Sequence, residues 1–343
     1  MPDSEKKTGA AAGFEERLNE DGLVKSEGYA ETMNGFVLPR LAEMRTTVEV
    51  AGAGGKKIVC DRYDAENPKG TVFVLHGFTE CAEKFSELIF SLIRNGWSVA
   101  ACDQRGHGRS WRDERIRDVS LTHVSRFDEY TEDLKAVWDR VLAEMPKPRY
   151  LFAHSMGGAV ALRFLEEYPG LFEKAALCAP MVAPHRAGLP LFVGKAMCIG
   201  AKCVGRGTSR IPMSRPWDGP EDFETSCAAG KERFDWYDGV RIRTEIYRNN
   251  GPTLSWALEA FNVTNKILAP GKPESISVPV RIYTAENDSQ VLPEYQEQLV
   301  RRLPRGKRKV VPGSKHEIYR SADAVLFPWW KEILAFFESG EDA

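Results

Sequence analysis

From residue 46 onward, short runs of apolar and β-branched residues alternate with segments whose apolar positions recur every three or four residues. Residues 46–50 and 57–63 read as two strands joined by Ala51-Gly52-Ala53-Gly54-Gly55, a glycine-rich hairpin connection. Residues 71–75 form a short apolar strand, 85–93 carry a helical period, and 97–102 read as another strand. Phe127, Tyr130, Leu134, Trp138 and Val141 mark the buried stripe of an amphipathic helix. An apolar run from Tyr150, a helix after Ser155 and a strand over 174–178 continue the series. Strands alternating with helices in this way predict an α/β fold whose mostly parallel sheet is covered on both faces.

The alternation stops near Pro180. Up to about residue 273 the chain is rich in Pro, Gly and aromatic residues, among them Phe192, Phe223, Phe234, Trp236, Tyr237, Tyr247, Trp256 and Phe261. A strand over 278–284, a helix over 294–302, a strand over 308–311 and a last helix to about 337 resume the α/β pattern. The expected organisation is a polar N-terminal arm (1–35), a first core part (36–180), an inserted helical cap (181–273) and a second core part (274–343). The first 28 residues, rich in Glu, Lys, Asp and Gly, read as mobile or as a loosely packed helix.

Composition narrows the class. A chain of 343 residues with 43% hydrophobic and 28% charged positions fits a soluble α/β core carrying an insertion. A net charge of −2 leaves no electrostatic footprint for nucleic acid. No apolar run approaches the ~20 residues that span a bilayer, and residues 1–20 lack the apolar stretch of a secretory signal. The seven cysteines, several in strand-like runs such as Ala101-Cys102 and Leu177-Cys178, read as buried thiols of a reducing compartment. None forms a C-x-x-C pair, so no structural metal is expected. A cytoplasmic location follows. The basic stretch 301–309 reads first as a solvated helix end and turn, and second as a transient contact with the inner membrane surface. The glycine run before Lys56 lacks the spacing of a phosphate loop.

The chemistry centres on Tyr150-Leu151-Phe152-Ala153-His154-Ser155-Met156-Gly157-Gly158. An apolar strand meeting a serine among small residues, with a helix starting at once, has the pattern of a nucleophile elbow. Ala153 stands where the usual Gly-x-Ser-x-Gly pattern has its first glycine, and an ordinary serine N-cap is the competing reading. A base and an acid are expected after later strands, at the sheet edge where catalytic groups gather. Ala285-Glu286-Asn287-Asp288 follows one such strand and Lys315-His316-Glu317 the next. The acid is Asp288 or Glu286, with Asp288 preferred. His76 and His107 read as turn-stabilising residues, His154 as pointing away from Ser155, and His123 and His185 as lacking a partner motif. The oxyanion hole is expected from the backbone N–H groups of Met156 and of Phe78, in the loop His76-Gly77-Phe78-Thr79-Glu80.

Four segments together resemble the α/β-hydrolase superfamily, and within it the lysophospholipase and monoacylglycerol lipase branch. They are His76-Gly77-Phe78-Thr79-Glu80, Asp103-Gln104-Arg105-Gly106-His107-Gly108-Arg109-Ser110, Ala153-His154-Ser155-Met156-Gly157-Gly158 and Lys315-His316-Glu317-Ile318. Gly251-Pro252-Thr253-Leu254-Ser255-Trp256-Ala257 resembles bacterial lysophospholipases in particular. The resemblance spans about residues 36–337 and implies an α/β-hydrolase fold with Ser155 as nucleophile, Asp288 as acid and His316 as base. Asn287-Asp288-Ser289 departs from the commoner Gly-x-Asp form and keeps the acid open. The resemblance implies two-step acyl transfer on a lipid ester, with no metal or redox cofactor and no nucleic-acid partner. Phe234, Trp236 and Trp256 would contact the acyl chain, against the plainer reading that they pack the cap. A general carboxylesterase, an acyltransferase and a non-catalytic binding protein are the alternatives. Dehalogenases and epoxide hydrolases of this fold need an aspartate where Ser155 stands.

Overall fold

The computed structural model describes residues 13–340, apart from 186, 187, 189 and 213. Its main sheet is built from β1 (Arg45–Ala51), β2 (Lys57–Tyr63), β3 (Thr71–Leu75), β4 (Ser98–Asp103), β6 (Arg149–His154), β7 (Lys174–Cys178), β9 (Val280–Asn287) and β10 (Gly306–Lys315). These eight strands lie in the order β1-β2-β4-β3-β6-β7-β9-β10. The β1–β2 hairpin is antiparallel, as its glycine-rich connection requires, and β2 runs antiparallel to β4. Every other pairing in this sheet is parallel. The last two strands run further than their apolar runs suggested, because β9 and β10 continue pairing through polar residues up to a register shift between Val311 and Lys315.

Strand β3 shows how the sequence is divided between two cores. Val72 and Val74 face the layer of α1 (Ser86–Arg94) and α8 (Asp323–Glu338), where Leu88, Trp329 and Trp330 are buried. Phe73 and Leu75 face the layer of α2 (Asp128–Arg140) and α3 (Met156–Glu167), where Leu134, Trp138 and Phe164 are buried. Successive strand residues point to opposite faces, so a strand apolar at every position requires cover on both. This is the mostly parallel sheet, covered on both faces, that the alternating pattern implied.

Between β7 and β9 the described chain forms α4 (Leu191–Cys203), α5 (Lys231–Arg243) and α6 (Leu254–Ile267). Thr253 caps α6, its hydroxyl oxygen accepting the Trp256 N–H at 3.1 Å. A short parallel pairing of β5 (Leu121–Thr122) with β8 (Gly251–Pro252) ties this region to the core. Two-residue strands carry no sequence signal, and none was expected there. In the basic stretch, Arg301 pairs with Glu297, Arg302 with Glu274 and Lys309 with Glu332, so these cations are locally matched.

The expectation of a mobile or loosely packed N-terminus fails for residues 13–28, and its part on residues 1–12 lies outside the described residues. Leu18, Leu23 and Val24 are buried, as are Tyr29 and Met33 just beyond. Their apolar positions are too widely spaced among charged residues to show a period. What fastens the segment is a residue distant in sequence: Arg233 of α5, 1% exposed, donates to the Val24 carbonyl, to both Glu87 oxygens and to Asp323. Ser26 reaches the same Asp323 through its N–H and its hydroxyl, each at 2.9 Å.

Two expectations follow. Arg233→Ala leaves Glu87 buried without its countercharge and lowers unfolding stability by about 3–5 kcal/mol in urea titration; a loss below about 1 kcal/mol would contradict the anchoring role. A Cβ on Gly157 would stand 2.5 Å from the carbonyl oxygens of both Leu75 and His76. Gly157→Ala therefore overpacks the crossing of α3 over β3 and costs about 1–3 kcal/mol by the same titration.

Candidate active site

Ser155 sits between β6 and α3 with φ 49° and ψ −116°, a backbone conformation that L-residues rarely adopt. Strain of this kind costs about 1–3 kcal/mol and persists only when neighbours over-determine it. Here they do. The Ser155 N–H donates to Cys178 O at 3.0 Å, and its carbonyl accepts from Gly158 (2.9 Å), Ala159 (3.3 Å) and Met181 (2.9 Å). Gly158 is required as well, since a Cβ would approach Pro180 to 2.6 Å. Ala153 is fully buried in β6 opposite Leu75, so the extra methyl is accommodated. Met156 opens α3, and an N–H in the first turn has no intrahelical acceptor. The hydroxyl of Ser155 thus faces the positive end of a helix.

His316 and Asp288 reach Ser155 from the ends of β10 and β9. The His316 Nε2 lies 2.8 Å from Ser155 Oγ, and its Nδ1 lies 2.8 Å from Asp288 Oδ2. The other Asp288 oxygen accepts the N–H groups of Gln290 (2.8 Å) and Val291 (3.0 Å). Burial presses the Asp288 pKa upward, but the His316 interaction and these two N–H groups outweigh it and hold the carboxyl below its ordinary value. A carboxylate only accepts, so Nδ1 carries the ring proton and Nε2 accepts from the Ser155 hydroxyl. Glu286 is engaged elsewhere: its Oε2 accepts the Gly313 N–H at 2.8 Å within the β10 irregularity. Of the two carboxylates left open by the sequence, it is Asp288 that touches the histidine.

The loop after β3 is held by the loop after β4. His76 Nε2 accepts the Gln104 N–H (2.9 Å), and His107 Nε2 accepts the Thr79 N–H (3.3 Å). These two histidines therefore stabilise turns, as expected. Asp103 accepts from the Ala82 N–H and from both the N–H and Nε of Arg109, whose other nitrogens reach Asp61. Phe78 lies against Trp256 with ring centroids 4.0 Å apart, and the Trp256 indole N–H donates to the Tyr130 hydroxyl.

The three aromatic residues singled out in the sequence part company. Trp256 backs the Phe78 loop. Phe234 lines a cavity of about 150 Å³ together with Thr79, Lys84, Cys227, Tyr237 and Glu317. Trp236 instead packs on Tyr29 and donates to Asn34, so its contacts are with the N-terminal segment. His154 turns its ring to Glu80, at 2.8 Å, and not to Ser155. His123, for which no partner was foreseen, meets Thr253 Oγ1 at 3.0 Å. Sequence reasoning gave no role to Glu80, Lys84, Glu317 or Tyr319, which form a buried polar cluster behind His316. The one available signal was the i,i+4 pairing of Glu80 with Lys84 next to a strand-ending loop.

A family model described as serine aminopeptidase, S33 (Hydrolase_4) matches residues 66–323. Lysophospholipase L2 of Escherichia coli (strain K12) is 27% identical over 308 residues, which cover 85% of this chain and 87% of that protein. Monoacylglycerol lipase of Mycolicibacterium smegmatis is 30% identical over 167 residues, covering 48% of this chain and 57% of its own. Two solved structures share the fold. A soluble variant of monoglyceride lipase from Saccharomyces cerevisiae, in complex with a substrate analog, has a TM-score of 0.64 at 18% identity, covering 85% of this chain and 97% of its own. A thermostable carboxyl esterase from Bacillus coagulans, in complex with glycerol, has a TM-score of 0.65 at 19% identity with the same coverage. The matched span 66–323 takes in every strand from β3 to β10 together with Ser155, Asp288 and His316, and the chain belongs to the serine aminopeptidase S33 (Hydrolase_4) family of α/β-hydrolases.

Proposed function

We propose that this chain hydrolyses carboxylic esters of lipids, lysophospholipids or monoacylglycerols, through an acyl-enzyme on Ser155. The observation that carries the reading is the unbroken chain from Asp288 through His316 to Ser155, both links at 2.8 Å. In this mechanism His316 takes the Ser155 proton as Oγ attacks the ester carbonyl, and Asp288 stabilises the imidazolium. The N–H groups of Met156 and Phe78 receive the oxyanion, each such donor being worth ~10²–10³ in turnover. His316 then protonates the leaving alcohol, and a water activated by the same ring releases the fatty acid.

Lipid as the substrate class is supported by the near full-length similarity to lysophospholipase L2 of Escherichia coli. The cap, residues 181–273, covers the site in this reading, with Phe234 and Trp256 at its inner side. Each acyl CH₂ buried there contributes ~0.8 kcal/mol. The outer face of α4 and its end expose Phe192 (75%), Met197, Ile199 and Val204 (73%), a surface suited to transient contact with a lipid aggregate. No described helix is long and apolar enough to cross a membrane. Buried thiols at Cys60, Cys81, Cys102, Cys178 and Cys198 support a reducing, cytoplasmic setting.

The test is fatty-acid release from lysophosphatidyl lipids and monoacylglycerols, beside short-chain nitrophenyl esters and an amino-acid nitroanilide. Ser155→Ala abolishes lipid cleavage, Asp288→Asn lowers kcat by ~10⁴ as loss of the orienting acid does elsewhere, and Glu286→Gln leaves it near wild type. Serine-dependent cleavage confined to short esters would make the protein a general esterase. Absence of any Ser155-dependent turnover would leave a binding protein.

A further inference from the structure

We propose that Glu80 and His154 are positioning residues, a buried ionic pair that fixes the oxyanion loop and the His316 loop to the nucleophile elbow. The inference rests on reading Ser155, His316 and Asp288 as the catalytic groups. Glu80 is 3% exposed and accepts four hydrogen bonds. Its Oε2 takes the Gly77 N–H at 2.5 Å and His154 Nδ1 at 2.8 Å; its Oε1 takes the Tyr319 hydroxyl at 2.5 Å and Lys84 Nζ at 3.2 Å. Gly77 precedes Phe78, His154 precedes Ser155, and Tyr319 follows His316 by three residues. One carboxylate therefore touches all three loops that meet at the serine.

His154 completes the link. Its Nε2 lies 3.2 Å from the His316 carbonyl oxygen, which can only accept, so Nε2 carries a proton. Its Nδ1 faces a carboxylate oxygen, also an acceptor, so Nδ1 carries one too. Both nitrogens donate, and the ring is an imidazolium balanced by Glu80. The ring is 1% exposed and sits 4.8 Å, centroid to centroid, from His316. There is little slack: a Cβ on Gly77 would stand 2.8 Å from Glu80 Oε2, 2.9 Å from His154 Nδ1 and 3.0 Å from Ser155 Cβ.

The charged groups around the pair agree with this protonation. Glu317 is bound by Lys84 Nζ and Arg320 Nη1, each at 2.5 Å, and Lys84 spans Glu80 and Glu317. Burial presses the His154 pKa down, but the charge and hydrogen bond of Glu80, with help from Glu317, raise it above its ordinary value against the opposing charge of Lys84. Burial presses Glu80 up, and the charges of His154 and Lys84 hold it well below the carboxylate range. The pair is thus complete from acidic pH to beyond the ordinary histidine pKa of ~6.5. It is lost as pH rises through the raised value at His154, where the ring must give up one of its two donors.

The experiment uses the full chain carrying ¹⁵N-labelled histidine, with His154 identified by the signals missing from His154→Gln. Both ring nitrogens of His154 stay protonated above ~pH 6.5, where an ordinary histidine is neutral, and in Glu80→Gln that double protonation is lost. In parallel, Glu80→Gln and His154→Gln each lower kcat on a short-chain nitrophenyl ester by ~10–10², the scale of a sub-ångström to ångström misplacement, with KM little changed. The double variant loses no more than the worse single, since both act through one pair. Tyr319→Phe, which deletes one of the four donors and keeps the ring, gives the same split in smaller measure should Glu80→Gln fail to fold. A wild-type His154 that is neutral at pH 7, or a folded Glu80→Gln with wild-type kcat, would overturn the inference. Lack of Ser155-dependent turnover in the wild type would instead sink the hydrolase reading, while the nitrogen spectra still decide whether the pair exists.

Discussion

The left-handed backbone at Ser155 is the constraint to which the surrounding structure is adjusted. A serine at φ 49° is held only because β7, α3 and the chain at Met181 all bond to its own peptide groups. That arrangement dictates what may stand nearby. Gly157 must lack a side chain because α3 passes over the end of β3, and Gly158 because Pro180 lies against it. The parallel register of β3, β6 and β7 then fixes where the loop after β3 meets the serine. The strained turn and the regular sheet are therefore one structural statement.

Around this elbow, loops are fastened by buried carboxylates as much as by apolar packing. Asp103 gathers Ala82 and Arg109, and Arg109 also reaches Asp61. Arg105 forks onto Asp133 with both oxygens engaged. Glu87 and Asp323 receive Arg233 and through it the N-terminal segment. Buried charges are costly unless fully partnered, so each such cluster tolerates few alternative arrangements. They specify geometry more than they supply stability. This suits loops that must present N–H groups and an imidazole at fixed distances.

The region between β7 and β9 divides its contacts in the same spirit. Helix α5 packs Trp236 and Tyr237 against the face that holds α1 and α8, while α6 packs Trp256 and Val263 against the other. Helix α4 joins a small separate cluster, in which its Cys198 meets Leu254, Ala257 and Leu258 of α6, and it leaves Phe192, Met197 and Ile199 exposed. The region is thus bound to both layers of the core on either side of the serine. Its outermost helix remains the least committed to that core.

Local patterns determined a large share of this protein. The short apolar run of Thr71–Leu75, the three-to-four-residue period from Phe127 to Val141, and the strand-serine-helix junction at Ser155 each depend on neighbours within one element. Such signals are legible because burial on a face or in a turn is a property of adjacent residues. The chain order of serine, acidic pair and histidine was legible for the same reason, each following a recognisable strand. Partner identity was not. The sequence preferred Asp288 to Glu286 as the acid but left both open; in the fold Asp288 meets His316, while Glu286 meets Gly313 in the irregular stretch of β10. Glu80 meets His154 across 74 residues and Arg233 meets Glu87 across 146. Trp236 was drawn from the site to the N-terminal segment by Tyr29 and Asn34. Contacts between residues so far apart depend on the three-dimensional placement of whole elements, and the burial that gives a charge its meaning exists only once those elements have packed.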